Sequence, residues 1–106
     1  MSFDMNQLMA QAQQAMEQMQ KLQEEATAET VTGSSGGGMV TVVATAGGEL
    51  KEITIDPKAI DPADPELLGD LVLAAVNQAL EAGRALVQAK VGQALPPDLG
   101  GLLPGL

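Results

Sequence analysis

The sequence predicts an α+β domain of order α-β-β-β-α, with a three-stranded antiparallel meander set between two long helices. Three observations carry this. Residues 5–26 hold a heptad-spaced apolar stripe with no Gly, Pro or β-branched residue. Residues 27–55 hold three short β-prone stretches separated by glycine-rich breaks. Asp64-Pro65-Glu66 opens a second apolar-periodic run that stops before Pro96 and Pro97. At 106 residues one domain is the default. It is expected over 1–95, with a Pro/Gly-rich tail over 96–106.

The first helix, MNQLMAQAQQAMEQMQKLQEEA, consists almost entirely of good helix formers. Met5, Ala12, Met19 and Ala26 recur every seventh position, and Leu8, Ala15 and Leu22 fall three residues after the first three. Met9 and Met16 widen the stripe, and Gln and Glu cover the other faces. Such a helix is about 33 Å long at 1.5 Å per residue. The rest of the chain is too short to wrap it, and the stripe has few large branched residues. It therefore predicts a helix that needs a partner, most simply a second copy of the chain. The expected dimer contact combines Met5, Leu8, Met9, Met16, Met19 and Leu22 with Val40 and Val42 of the sheet.

After this helix, TAETVTG at 27–33 favours a strand through Thr and Val, with Gly33 expected to end it. GSSGGG at 33–38 reads as a turn or flexible loop. MVTVVAT at 39–45 is the clearest strand, with Val40, Val42 and Ala44 on one face. Ala46-Gly47-Gly48 gives a tight hairpin, and ELKEITI at 49–55 returns. Leu50 is out of phase with Ile53 and Ile55, so a β-bulge is expected near Lys51 or Glu52.

Asp56-Pro57 ends the sheet, and a Pro-rich connection follows with one helical turn expected around 58–60. Asp64 as N-cap, Pro65 at the first helical position and Glu66 in the first turn start a helix over 65–93. Leu68, Leu71, Val72, Ala75, Ala79, Ala82 and Leu86 line one face, and Asp70, Asn77, Glu81, Arg84 and Gln88 the opposite one. Gly83 interrupts the middle and suggests a close approach. The tail LPPDLGGLLPGL cannot continue the helix, because Pro lacks the N–H and its ring clashes with the preceding turn. It is expected to drape over a partner surface or to be flexible.

Composition narrows the function classes. There is no cysteine, which excludes disulfides and thiolate metal sites and fits a reducing compartment. There is no histidine, the commonest general base and metal ligand. Phe3 is the only aromatic residue, so base stacking on aromatic platforms is excluded. No secretory signal opens the chain and no run reaches the roughly 18 apolar residues of a membrane span, so a cytoplasmic protein without membrane contact is expected. The net charge of −9, from 14 acids against 5 bases, favours solubility and opposes polyanions.

Candidate chemistry is sparse. Gly33-Ser34-Ser35-Gly36-Gly37-Gly38 lacks the Lys-Ser/Thr that follows a phosphate-binding loop, and a strand rather than a helix comes next. Asp56, Asp61, Asp64 and Glu66 do not have calcium-loop spacing and are explained by turns and a helix cap. No nucleophile stands beside a base, so no enzyme, cofactor or small-molecule substrate is expected. The five basic residues are Lys21, Lys51, Lys58, Arg84 and Lys90, and most have acids nearby in sequence.

The segments QAQQAMEQMQKLQEE at 11–25, VTGSSGGGMVTVVATAGGELKEITIDPKAI at 31–60, LLGDLVLAAVNQAL at 67–80 and LPP at 95–97 together resemble the YbaB/EbfC family of bacterial nucleoid-associated proteins. The resemblance spans nearly the whole chain in order. It implies an intertwined homodimer whose sheets join at the centre and whose long helices project like the arms of tweezers. It also implies a cytoplasmic, nucleoid location and binding of double-stranded DNA with little sequence preference. Nucleoid organisation, gene regulation and recombinational repair are the implied roles, the last bringing in a recombination or repair protein as partner. Family DNA binding is attributed to basic residues on the projecting helices. Lys21, Arg84 and Lys90 stand in the matching regions, and elsewhere on both helices Gln, Ala and Glu replace the bases usual in the family. Six such charges per dimer give a log–log salt slope of about −5 at most, so weak binding without base readout is expected. The alternative is an acidic adaptor dimer for a basic partner, such as a recombination protein.

Overall fold

A computed structural model describes residues 4–94 of the chain. The expected Pro/Gly-rich tail lies outside them. Helix α1 spans Met5–Ala28, two residues beyond the end of the apolar period. Asp4 caps it, its Oδ1 accepting from the Gln7 N–H at 3.2 Å. Glu29 turns extended and delivers the chain to β1, Thr30–Ser35.

Strand β1 corrects one expectation. Gly33 does not end the strand; it sits in the middle and pairs with Val42 of β2, Val40–Thr45. The turn comes later, at Gly36–Gly38, where φ values of 60°, 67° and 92° favour glycine. Strand β3, Leu50–Ile55, completes the sheet in the order β1-β2-β3. Val43 pairs with Glu52 and Ala44 with Leu50, leaving Lys51 as the extra residue of a bulge. That bulge brings Leu50 back into phase with Ile53 and Ile55.

Helix α2 spans Pro65–Ala94, and the Leu67 N–H donates to Asp64 Oδ1 at 3.2 Å. It crosses the sheet antiparallel to β1. The Ser35 hydroxyl donates to the Leu71 carbonyl, the Ser34 N–H to the Gln78 side chain, and Lys90 reaches Glu29 at the far end. Two glycines let it lie close. A Cβ on Gly33 would collide with the Ala75 carbonyl, and one on Gly83 would stand 2.8 Å from the Ala46 carbonyl oxygen.

The core under α2 consists of Val40, Val42, Ala44, Ala59, Ala75 and Ala79, flanked by Val31, Ile55, Leu68, Leu71, Val72 and Val76. Val40 and Val42 are 0% exposed within one protomer. A side chain with no remaining surface cannot bury more on association, so these two belong to the protomer core and not to a dimer contact. Their burial contributes about 1.5–3 kcal/mol each as an upper estimate.

Candidate nucleic-acid interface and protomer contact

The sheet's two sides differ sharply. Alternation along β1 and β2 sends Thr30, Thr32, Ser34, Thr41 and Thr45 away from α2 and sends Val31, Gly33, Val40, Val42 and Ala44 towards it. The register puts Ile53 opposite Val42 and Leu50 opposite Ala44, on the α2 side as well. Yet α2 packs over β1 and β2 only, and every residue of β3 except Ile55 is exposed. Leu50 and Ile53 are therefore an uncovered extension of the core face, 42% and 43% exposed. Leu73 of α2 is exposed, and Leu80, two turns on, lies beside Gly48 of the β2–β3 hairpin. Leu73, Val76 and Leu80 form a second apolar line along the β3 side of α2. Together these residues make an open apolar trough at one end of the sheet.

The eight residues expected at a dimer contact thus separate. Val40 and Val42 are internal; Met19 and Leu22 are half-buried where α2 runs beside α1; Met5, Leu8, Met9 and Met16 are exposed. The trough residues were not anticipated. The i, i+3, i+7 spacing of Leu73, Val76 and Leu80 was their one sequence signal.

The basic residues expected to meet DNA are all on helix surfaces, but they are not gathered into one patch. Lys21 is exposed on α1 in a shallow groove lined by Gln14, Glu17 and Gln18, and makes no ion pair among the described residues. Arg84 Nη2 is 2.8 Å from Glu81 Oε2, one turn earlier on α2. Lys90 Nζ is 3.2 Å from Glu29 Oε1, which ties the end of α2 to the end of α1. Arg84 and Lys90 are six residues apart and so stand on different sides of the helix. Their ion pairs are solvent-exposed, of the kind worth about 0–1 kcal/mol, so a phosphate can compete with the carboxylate for either cation.

Among the described residues no group of three or more acidic side chains is placed to hold a metal, and no helix is long and apolar enough to cross a membrane. The features that stand out are a long helix with bare surface, polar sheet hydroxyls and an apolar sheet end, all suited to extended macromolecular contacts. They define a small α+β binding scaffold.

The chain belongs to the YbaB/EbfC DNA-binding family, whose profile matches residues 1–98. It is 48% identical to a nucleoid-associated protein of Acetivibrio thermocellus, an alignment covering 97% of this chain and 89% of that one. It is 47% identical to a nucleoid-associated protein of Saccharopolyspora erythraea, over 97% and 94% of the two chains. The crystal structure of an uncharacterized Helicobacter pylori protein superposes with a TM-score of 0.71 at 25% identity, covering 90% of this chain and all of the other.

Proposed function

We propose that this protein is a nucleoid-associated protein that binds double-stranded DNA as a homodimer with little sequence preference. The observation that carries this is the family match over residues 1–98, reinforced by relatives named as nucleoid-associated proteins. In this reading two protomers join through the troughs formed by Leu50, Ile53 and Leu73, which brings two sets of helices onto one particle. Lys21, Arg84 and Lys90 from both copies contact phosphates, while Gln side chains of α1 and sheet hydroxyls add neutral contacts. Without aromatic side chains or a basic cluster there is no base readout. Binding is weak, spread over many sites and located in the nucleoid. Its cellular effects are on chromosome organisation, gene expression and DNA repair.

A gel-shift titration with random-sequence duplex at 50 mM salt tests this. Retention of the duplex, with A·T-rich and G·C-rich competitors equally effective, is the expected result. No retention by a confirmed dimer contradicts it.

The net charge of −9, together with the pairing of Arg84 and Lys90 to acids, favours a second reading. In it the dimer is an acidic adaptor for a basic partner, such as a recombination protein. Capture of the same partner before and after nuclease treatment of a lysate supports the adaptor; loss of the partner with the DNA supports the first reading.

A further inference from the structure

The apolar seam of α1 is covered at one end and bare at the other. Ala26 is 1% exposed and Leu22 and Met19 are half-buried, while every residue from Asp4 to Gln18 is exposed. The seam itself does not stop at Met19. Met5, Leu8, Ala12 and Ala15 continue the alternating three- and four-residue spacing of Met19, Leu22 and Ala26. Met9 and Met16 wall the bare part on one side, 59% and 73% exposed.

What stops is the covering element. Helix α2 meets Ala46 at Gly83 and Glu29 at Lys90, then runs beside the C-terminal part of α1 until Ala94. It travels towards the N-terminus of α1. The chain leaving Ala94 therefore starts at the boundary between covered and bare seam. The next residues, 95–106, are LPPDLGGLLPGL, with Leu95, Leu99, Leu102, Leu103 and Leu106 among them and Asp98 as the one charge.

Reach and chemistry both fit. Met19 to Leu8 is about 17 Å along a helix at 1.5 Å per residue, and a dozen residues in extended form span about 37 Å at 3.1 Å each. Ala12 and Ala15 leave a shallow channel in the seam, and the flexible Met9 and Met16 thioethers adapt to irregular apolar shapes. An extended segment bearing leucines suits such a channel; the prolines lack backbone donors that would need partners.

We propose that residues 95–106 dock in cis on the bare seam of α1, between Leu8 and Met16. The contact is intramolecular and independent of the DNA reading. It completes the cover that α2 begins.

The absence of native cysteine makes cross-linking a direct test. Full-length protein carrying Ala12→Cys on the seam and Leu102→Cys is oxidised beside a control carrying Gln14→Cys, on the opposite side of α1, and Leu102→Cys. The seam pair is expected to form an intrachain disulfide at least about tenfold faster than the control, because docking raises the effective concentration beyond that of a loose tether. Equal rates for both pairs overturn the proposal. So do disulfides formed between chains only, which would assign the seam to a second copy. In cysteine-free protein, Leu102→Asp/Leu103→Asp is expected to speed amide exchange of residues 5–16 and leave β2 unchanged. Unchanged exchange of residues 5–16 also overturns it.

Discussion

Gly33 of β1 lies directly against Ala79 of α2: a Cβ built on the glycine would stand 2.5 Å from the Ala79 amide nitrogen. Both residues are buried, and the contact sets how closely the helix lies on the sheet. Val40, Val42 and Ala44 are sealed beneath α2 because the backbones approach this far.

Gly33→Ala therefore forces helix and strand apart and is expected to cost about 1–3 kcal/mol, as overpacking does. Glycine's helix penalty gives an internal comparison within α2. Gly83 abuts the Ala46 backbone, whereas nothing lies within 4 Å of a Cβ on Gly69. Gly83→Ala is expected to destabilise, and Gly69→Ala to stabilise by about 0.5–1 kcal/mol. Urea unfolding followed by circular dichroism measures all three.

The open trough predicts a second outcome. Ile53→Glu and Leu73→Glu place a charge on an apolar surface that the proposed dimer buries, while neither residue is in the protomer core. Each is expected to shift sedimentation from dimer to monomer with the helical signal retained. A dimer unchanged by both substitutions places the contact elsewhere.

The ion pairs predict a gain of function. Glu81 holds Arg84 and Glu29 holds Lys90. Glu81→Gln and Glu29→Gln each free a cation and remove a repelling charge, so each is expected to tighten binding to random duplex. Lys21→Gln is expected to weaken it and to flatten the salt slope by about 1.8 per dimer, at roughly 0.9 per phosphate contact. Fluorescence anisotropy of a labelled duplex reads these changes.

The order of elements was legible because each has a local cause. The α1 stripe, the alternation of β2, the bulge that Leu50 demanded and the Asp64 cap all appear where the residues indicated. The end of β1 was not, because glycine's local preference for a turn yields at Gly33 to the helix pressing on it. Alternation showed that Val40 and Val42 share a face but not that the chain's own second helix covers it. Of the candidate site, Glu81 and Arg84 were visible as an i, i+3 pair. Lys90 and Glu29 are 61 residues apart and meet only through the crossing of α2 over the sheet. The trough escaped because exposure of Leu50 and Ile53 depends on where α2 stops across the sheet, which no local pattern records.

The salt dependence of duplex binding tests the central claim most directly. Anisotropy titrations of a random-sequence duplex from 50 to 200 mM salt are expected to show weakening affinity with a log–log slope no steeper than about −5, the limit for six phosphate contacts per dimer. Binding that is absent at 50 mM, or that does not change with salt, would contradict a phosphate-directed role for Lys21, Arg84 and Lys90.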